Sequence, residues 1–386
     1  MGLAMIYLDH NATTPPASSV VQAMLSALTD VWANASSQHP PGQQAKRALV
    51  AARAVVARVL GCKPAEVIFT SGATEANHLA VLGLHALAAD RRRRLVFGAV
   101  EHAGHLALAR SLAAQGVPVD FIGVHTDGTL DLDSAARVIG PDVALVSLMA
   151  ANNETGVLMP VQDVSALAHA AGARMHVDAT QFVGKAPFDF ARFGADAVSL
   201  SAHKLRGPKG IGALLLRQGV TLAQQIQGSQ ERRRRGGTEN LPAIAGFAAA
   251  LERLGDVTAE SARVGQLRDA LEHGLQHALP GVHVFSARAP RIAGTSYLRF
   301  GRLPADVVLQ RVEQLGVCAS SGAACSSGGS EPSHVLTAMG VPRDEALGAV
   351  RLSLGETTTA RDIEYLLAAL PPLLAPLVEN YAADAA

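Results

Sequence analysis

Cysteine is scarce. The 386-residue chain has three, Cys62, Cys318 and Cys325. The count is odd and the spacing fits no disulfide framework, so a secreted, cross-linked scaffold is excluded and a reducing cytoplasm is the expected home. A cysteine that matters here matters as a thiol. Net charge is also missing, because 33 Lys and Arg offset 33 Asp and Glu. No global basic field points to nucleic acid. The runs Arg91–Arg94 and Arg232–Arg235 are local exceptions, and the first reads as a solvated face or turn. No apolar run is long enough to span a bilayer. The opening residues reach Asp9 without a basic region, so no secretory leader is read there. Neither nucleic acid nor membrane is an expected partner.

What is present is small and apolar: 49% of residues are hydrophobic and 17% charged. This suits one large α/β domain with a smaller partner and argues against disorder. The boundaries read as a large domain over residues 15–260, with 1–14 and 261–386 forming a smaller α+β domain. Apolar runs predict strands at 66–70, 95–98, 117–124, 143–149, 175–177, 197–200 and 211–216, with helices between several of them. The alternation predicts a doubly wound, mostly parallel sheet, with its ligand outside the carboxyl ends of the strands. A long helical stretch from Leu241 to about Leu279 then leads to strands at 282–285, 296–300 and 350–354.

Chemistry-bearing side chains collect at the strand ends. The run 197–200 delivers Ser201, His203 and Lys204. A lysine at the mouth of a parallel sheet is where a Schiff-base enzyme places its amine. The run 175–177 ends in Asp178, an acid of the kind that partners a pyridinium nitrogen. Either residue alone is more often a surface lysine or a helix cap; together, with Gln181 and His203 close by, they point to a pyridoxal phosphate site. The turn Ser71–Ala76 joins a strand to a helix, so its N–H groups and Thr74 suit a phosphate, or an ordinary cap. It lacks G-x-G-x-x-G, which excludes the dinucleotide fingerprint. His102 and His105 have metal-ligand spacing but no third ligand near, so no metal is expected and His102 is read against a cofactor ring. Asn153 follows another strand end. The loop 33–39 presents Asn34. Cys325 sits among glycines and serines that cannot pack a core, an unusual place for a structural cysteine.

These strings resemble a known family. Tyr7-Leu-Asp-His-Asn-Ala-Thr-Thr14, Ser71-Gly-Ala-Thr-Glu75, Glu101-His102, Asn152-Asn-Glu-Thr-Gly156, Val177-Asp-Ala-Thr-Gln181, Ser201-Ala-His-Lys204, Gly236-Gly-Thr-Glu-Asn240 and Ser320-Ser-Gly-Ala-Ala-Cys325 occur in the order of cysteine desulfurases of the NifS/IscS type. The resemblance runs from about residue 6 to residue 375. It implies an aspartate-aminotransferase-like fold, pyridoxal 5'-phosphate as cofactor, L-cysteine as substrate and a homodimer. By position it implies Lys204 as the cofactor-bearing lysine, Asp178 on the ring nitrogen, Gln181 on the ring oxygen and His102 stacked on the ring. It implies a phosphate held by Thr74, Ser201, His203 and the Ala73 backbone, with Thr238 reaching the other subunit's site. It assigns the substrate to Asn153 and Arg351, with Asn34 a weaker candidate.

Cys325 would take the sulfur as a persulfide and pass it to an acceptor or iron–sulfur scaffold protein, with a transient iron–sulfur contact at the thiol. Its loop resembles the longer type that serves scaffolds. Three departures stand out. Ala33 and Ala35 replace a glycine and a proline, His10 replaces an asparagine, and Ser229 replaces a glycine or histidine. None removes a catalytic group. Rival readings are a selenocysteine lyase or another pyridoxal enzyme such as an aminotransferase, and a non-catalytic scaffold subunit.

Overall fold

The computed structural model describes residues 5–88, 92–321 and 331–383. Its centre is a seven-stranded sheet in the order Val67–Thr70, Gly212–Leu216, Ala197–Ser201, Arg174–Asp178, Val143–Met149, Arg94–Gly98, Val119–Ile122. Every residue of Val143–Met149 is buried, as expected of a strand covered on both faces. Gly212–Leu216 runs against both of its neighbours; the other adjacent pairs are parallel. Its exception has a simple cause. The connection through residues 202–211 is too short to hold a crossover helix, so the chain must turn back.

Helices cover both faces. Pro40–Val59, Val161–Ala170 and Leu241–Glu252 pack into the larger core on one side. Ala73–Ala88 and Ala103–Ala114 pack on the other. A second core forms around the three-stranded antiparallel sheet of Val282–Val284, Thr295–Phe300 and Val350–Ser353. Leu8 packs into this core from the far end of the chain, and Ile6–Tyr7 pairs with Val317–Cys318.

Two elements differ from the sequence expectation. The helical stretch 241–279 is two helices, Leu241–Glu252 and Val257–Ala278. Gly255 interrupts it, and Asp256 caps the second helix by accepting from Thr258 N and Ala259 N at 2.9 and 3.0 Å. The strand expected at 117–124 contracts to Val119–Ile122, since Pro118 has no N–H to give a ladder.

The polar excursion before Leu241 is anchored by one carboxylate. Glu231, Arg232 and Arg233 all have left-handed backbones, with φ of 46°, 57° and 59°, a conformation costly for residues with a Cβ. Buried Glu231 holds the turn by accepting from Arg53 at 2.6 and 2.7 Å and from Phe69 N at 3.0 Å. Arg235 clasps Glu75 at 2.7 Å. The segment carrying Thr238 is thereby tied to the start of the Ala73–Ala88 helix. Among the described residues, no helix is long and apolar enough to cross a membrane.

Candidate active site

A cavity of about 670 Å³ opens at the carboxyl ends of the parallel strands. Five strand ends contribute to it. Val67–Thr70 leads to Ala73 and Thr74, and the turn between is braced by Glu75, which accepts from Ser71 N at 2.8 Å. After Arg94–Gly98 comes His102, whose Nδ1 accepts from Gly104 N at 3.2 Å and caps the next helix. After Val143–Met149 comes Asn153, and Arg174–Asp178 ends in Asp178 with Gln181 following. Ala197–Ser201 supplies Ser201, His203 and Lys204. Arg351 enters from the antiparallel sheet. These ten expected site residues surround one space.

The electrostatics are specific. Burial alone would raise the Asp178 carboxyl. Hydrogen bonds from Thr180 and Asn77, with His105 nearby, hold it below its ordinary value. Thr180 N donates at 2.9 Å and Asn77 Nδ2 at 2.7 Å. Both donors are neutral amides, so an ionised carboxylate faces the cavity without an arginine or lysine on it. Glu101 is the opposite case: burial, and then Asp178, keep its carboxyl well above the usual range. Arg351 donates to Asp9 Oδ1 at 2.8 Å and to the Asn153 carbonyl at 2.9 Å, while its Nε is buried without a partner. Lys204 Nζ donates to the carbonyls of Asn11 and Ala12 at 2.5 and 2.7 Å.

His105 does not share the cavity with His102. Its Nε2 lies 2.7 Å from Ser147 Oγ, which lies 2.7 Å from His176 Nδ1, and His176 Nε2 lies 2.9 Å from Ser199 Oγ. This chain of bonds is core structure. Burial lowers His105 to about 3 and His176 to about 4. Burial, then Lys204, lowers His203 to about 4. The sign for stability follows. The unfolded chain protonates these rings near pH 6.5 and the folded chain does not, so the fold loses stability as pH falls from about 6.5 towards about 4. Urea midpoints of the apoprotein should be flat from pH 8 to 7 and fall steadily below pH 6.5; a flat profile down to pH 5 would contradict this.

Two expected residues lie elsewhere. Asn34 and Thr238 line a separate cavity of about 210 Å³. Asn34 Oδ1 is taken by Ser36 N at 2.8 Å, a local turn that holds the side chain in its own loop. Asn34 thus lies outside the larger cavity of its own chain. Thr238 was expected to serve a second copy, and its position outside this chain's cavity is compatible with that. Cys325 lies outside the described residues. The chain on either side of it is placed: Ser320 exchanges backbone hydrogen bonds with Arg351 at 2.6 and 3.2 Å. The Tyr297 hydroxyl lies 3.2 Å from Glu154 and 3.3 Å from the Ser321 carbonyl. Ser333 Oγ donates to the same Glu154 at 2.5 Å.

Four contributors were missed from sequence: Asp9, Asn11, Asn77 and Lys185. Asp9 and Asn11 stand inside the Tyr7–Thr14 string, which was the available signal. Asn77 and Lys185 gave none beyond their helical spacing from Ala73 and Gln181.

The donors fit pyridoxal phosphate. An anion cradle stands at a helix N-terminus beside Ser201 and His203. An ionised buried carboxylate waits for a cation, and a lysine lines the same cavity.

The chain matches the aminotransferase class-V family over residues 6–366. It is 46% identical over 373 residues to a cysteine desulfurase of Cereibacter sphaeroides, covering 96% of this chain and 95% of that one. It is 41% identical over 379 residues to the cysteine desulfurase NifS of Azotobacter vinelandii, covering 97% and 94%. Among solved structures, a NifS-like protein superposes with a TM-score of 0.89 at 32% identity, covering 96% of this chain and 99% of that one. SspA in complex with cysteine gives 0.82 at 30% identity, covering 92% and 100%.

Proposed function

This chain belongs to the aminotransferase class-V family and is a pyridoxal phosphate-dependent enzyme; from that premise we infer that it is a cysteine desulfurase, converting L-cysteine to L-alanine and passing the sulfur to Cys325. The observation that carries this reading is the convergence of Lys204, ionised Asp178 and Arg351 on one cavity beside the strand that leads to Cys325.

When bound, pyridoxal phosphate supplies an electron sink for charge developing at the substrate α-carbon. The chain's own residues do the rest. Asp178 would hold a proton at the ring nitrogen, because its carboxylate is ionised and no side-chain cation among the described residues already satisfies it. Gln181 Nε2 would donate to the ring oxygen. Ala73 N–H, Thr74, Ser201 and His203 would hold the phosphate at the head of the Ala73–Ala88 helix. Lys204 would anchor the cofactor and take the α-proton at Nζ. His102 would stack against the ring and move protons. Arg351 takes the substrate carboxylate and Asn153 orients the same end.

The Cys325 thiolate then attacks the substrate sulfur. A sulfur–sulfur bond forms, the carbon–sulfur bond breaks, and its electron pair stays with carbon, which is protonated to give alanine. Four peptide links from Ser321 to Cys325 span at most about 14 Å, and Ser320 is bonded to Arg351 on the cavity wall. A homodimer completes the site, with Thr238, which lies outside its own chain's cavity, reaching the other copy's phosphate. The persulfide goes on to an acceptor protein for iron–sulfur assembly in the cytoplasm.

The test is a product balance. Purified holoprotein with L-cysteine and a thiol reductant should release L-alanine and sulfide in equal amounts. Rapid turnover of selenocysteine or an amino/keto acid pair, with poor activity on cysteine, would overturn it.

A further inference from the structure

We propose that Lys185, a second lysine behind Lys204, is a positioning residue that locks the side-chain amide of Gln181 so that an N–H faces the cofactor space. The proposal rests on the reading of the cavity as a pyridoxal phosphate site.

Lys185 Nζ donates to Gln181 Oε1 at 2.5 Å and to Asn11 Oδ1 at 2.7 Å. Gln181 Nε2 donates to the Asn11 carbonyl at 2.9 Å. An amide has one acceptor oxygen and two N–H donors. With the oxygen held by Lys185 and one N–H held by Asn11, the second N–H is left for the cavity that Gln181 lines. Rotating the amide by half a turn would set N–H against N–H at Lys185 and oxygen against oxygen at Asn11. Both contacts are repulsive, so the lysine and the Asn11 carbonyl together make the orientation single-valued.

Asn11 makes the lock rigid. Its N–H donates to Ser353 Oγ at 2.9 Å and its Nδ2 to Thr295 Oγ1 at 2.8 Å. Its carbonyl also receives Lys204 Nζ at 2.5 Å. One backbone oxygen therefore ties the cofactor-bearing lysine to the amide that Lys185 orients. Both partners of Lys185 are amide oxygens, so the lysine acts as the donor to each of them.

A donor aimed at the cofactor's ring oxygen favours its less protonated form, so losing that donor raises the pH midpoint of the bound cofactor's visible absorbance. Gln181→Ala sets the scale, with an expected rise of about one unit, the size of a hydrogen bond to a charged atom. Lys185→Met removes the donor and keeps the stem. It should raise the midpoint by a similar amount, and the double variant should rise no further than Gln181→Ala alone. Lys185→Gln, which keeps an N–H, should recover part of the shift. Thermal midpoints of the apoproteins check the fold, and Lys185→Ala takes the place of Lys185→Met if the latter does not fold. An unmoved midpoint in Lys185→Met beside a shifted Gln181→Ala would overturn the proposal alone, as would additive shifts. Absence of any visible cofactor band in the unsubstituted holoprotein would overturn the cofactor reading and the proposal with it.

Discussion

Sulfide release from L-cysteine should fall by at least about 10³-fold in a Cys325→Ser variant, the scale of losing a nucleophile. The substitution is nearly isosteric, so the cost is chemical. A thiol yields a thiolate in appreciable amount near neutral pH, whereas a serine hydroxyl does not. Attack by oxygen on sulfur would also form an oxygen–sulfur bond in place of a disulfide-like one. The cofactor's absorbance and the apoprotein's thermal midpoint should stay as in the unsubstituted protein. The flanks explain why. Ser320 is bonded to Arg351, and Ser321 and Ser333 both reach the Tyr297–Glu154 pair. None of those contacts uses the Cys325 side chain. Single-turnover measurement separates the steps: cysteine should still bind, with its sulfur retained. Full turnover by the serine variant would remove Cys325 from the mechanism and leave a lyase-type elimination.

Much of this site was legible because a doubly wound sheet sorts its residues by position. Asp178, Ser201 and Lys204 follow apolar runs, and such runs end on the same edge of the sheet whatever their order in the chain. Contacts between distant stretches were not legible. Lys185 and Gln181 sit four apart, a spacing that usually marks an exposed pair on a helix. Here Asn11, 174 positions away in sequence from Lys185, ties the pair to the cavity wall that it and Gln181 line. Asn34 lies outside this cavity, and the local turn made by its side chain with the Ser36 N–H was not legible either. The reversed strand Gly212–Leu216 has the same apolar run as its parallel neighbours, and only the shortness of the preceding connection betrays its direction. The left-handed turn at Glu231–Arg233 is invisible to propensity, because a buried salt bridge and not the residues' own preference holds it.

The Asp178→Asn variant should lose between about 10² and 10⁴ in turnover. That range is the effect of removing one member of a buried charge pair, about 3–5 kcal/mol, converted at tenfold per 1.4 kcal/mol. The substitution isolates the charge because the surrounding bonds can be remade. Thr180 N can still donate to the new side chain's oxygen, as it does to Asp178 Oδ1 at 2.9 Å. Asn77 now donates to Asp178 Oδ2 at 2.7 Å, and its own Oδ1 is buried without a partner. An amide flip at Asn77 would present that oxygen to the new N–H₂ and repair the contact. The apoprotein's thermal midpoint should therefore change little, while cofactor affinity and turnover fall together. Glu101 cannot substitute for the lost charge. Burial is the larger cause of its raised pKa and persists after Asp178 is gone. Turnover within tenfold of the unsubstituted enzyme would mean that the ring nitrogen needs no proton in this reaction. The ionised Asp178 would then serve only to bind the ring, and the loss would show in cofactor affinity alone.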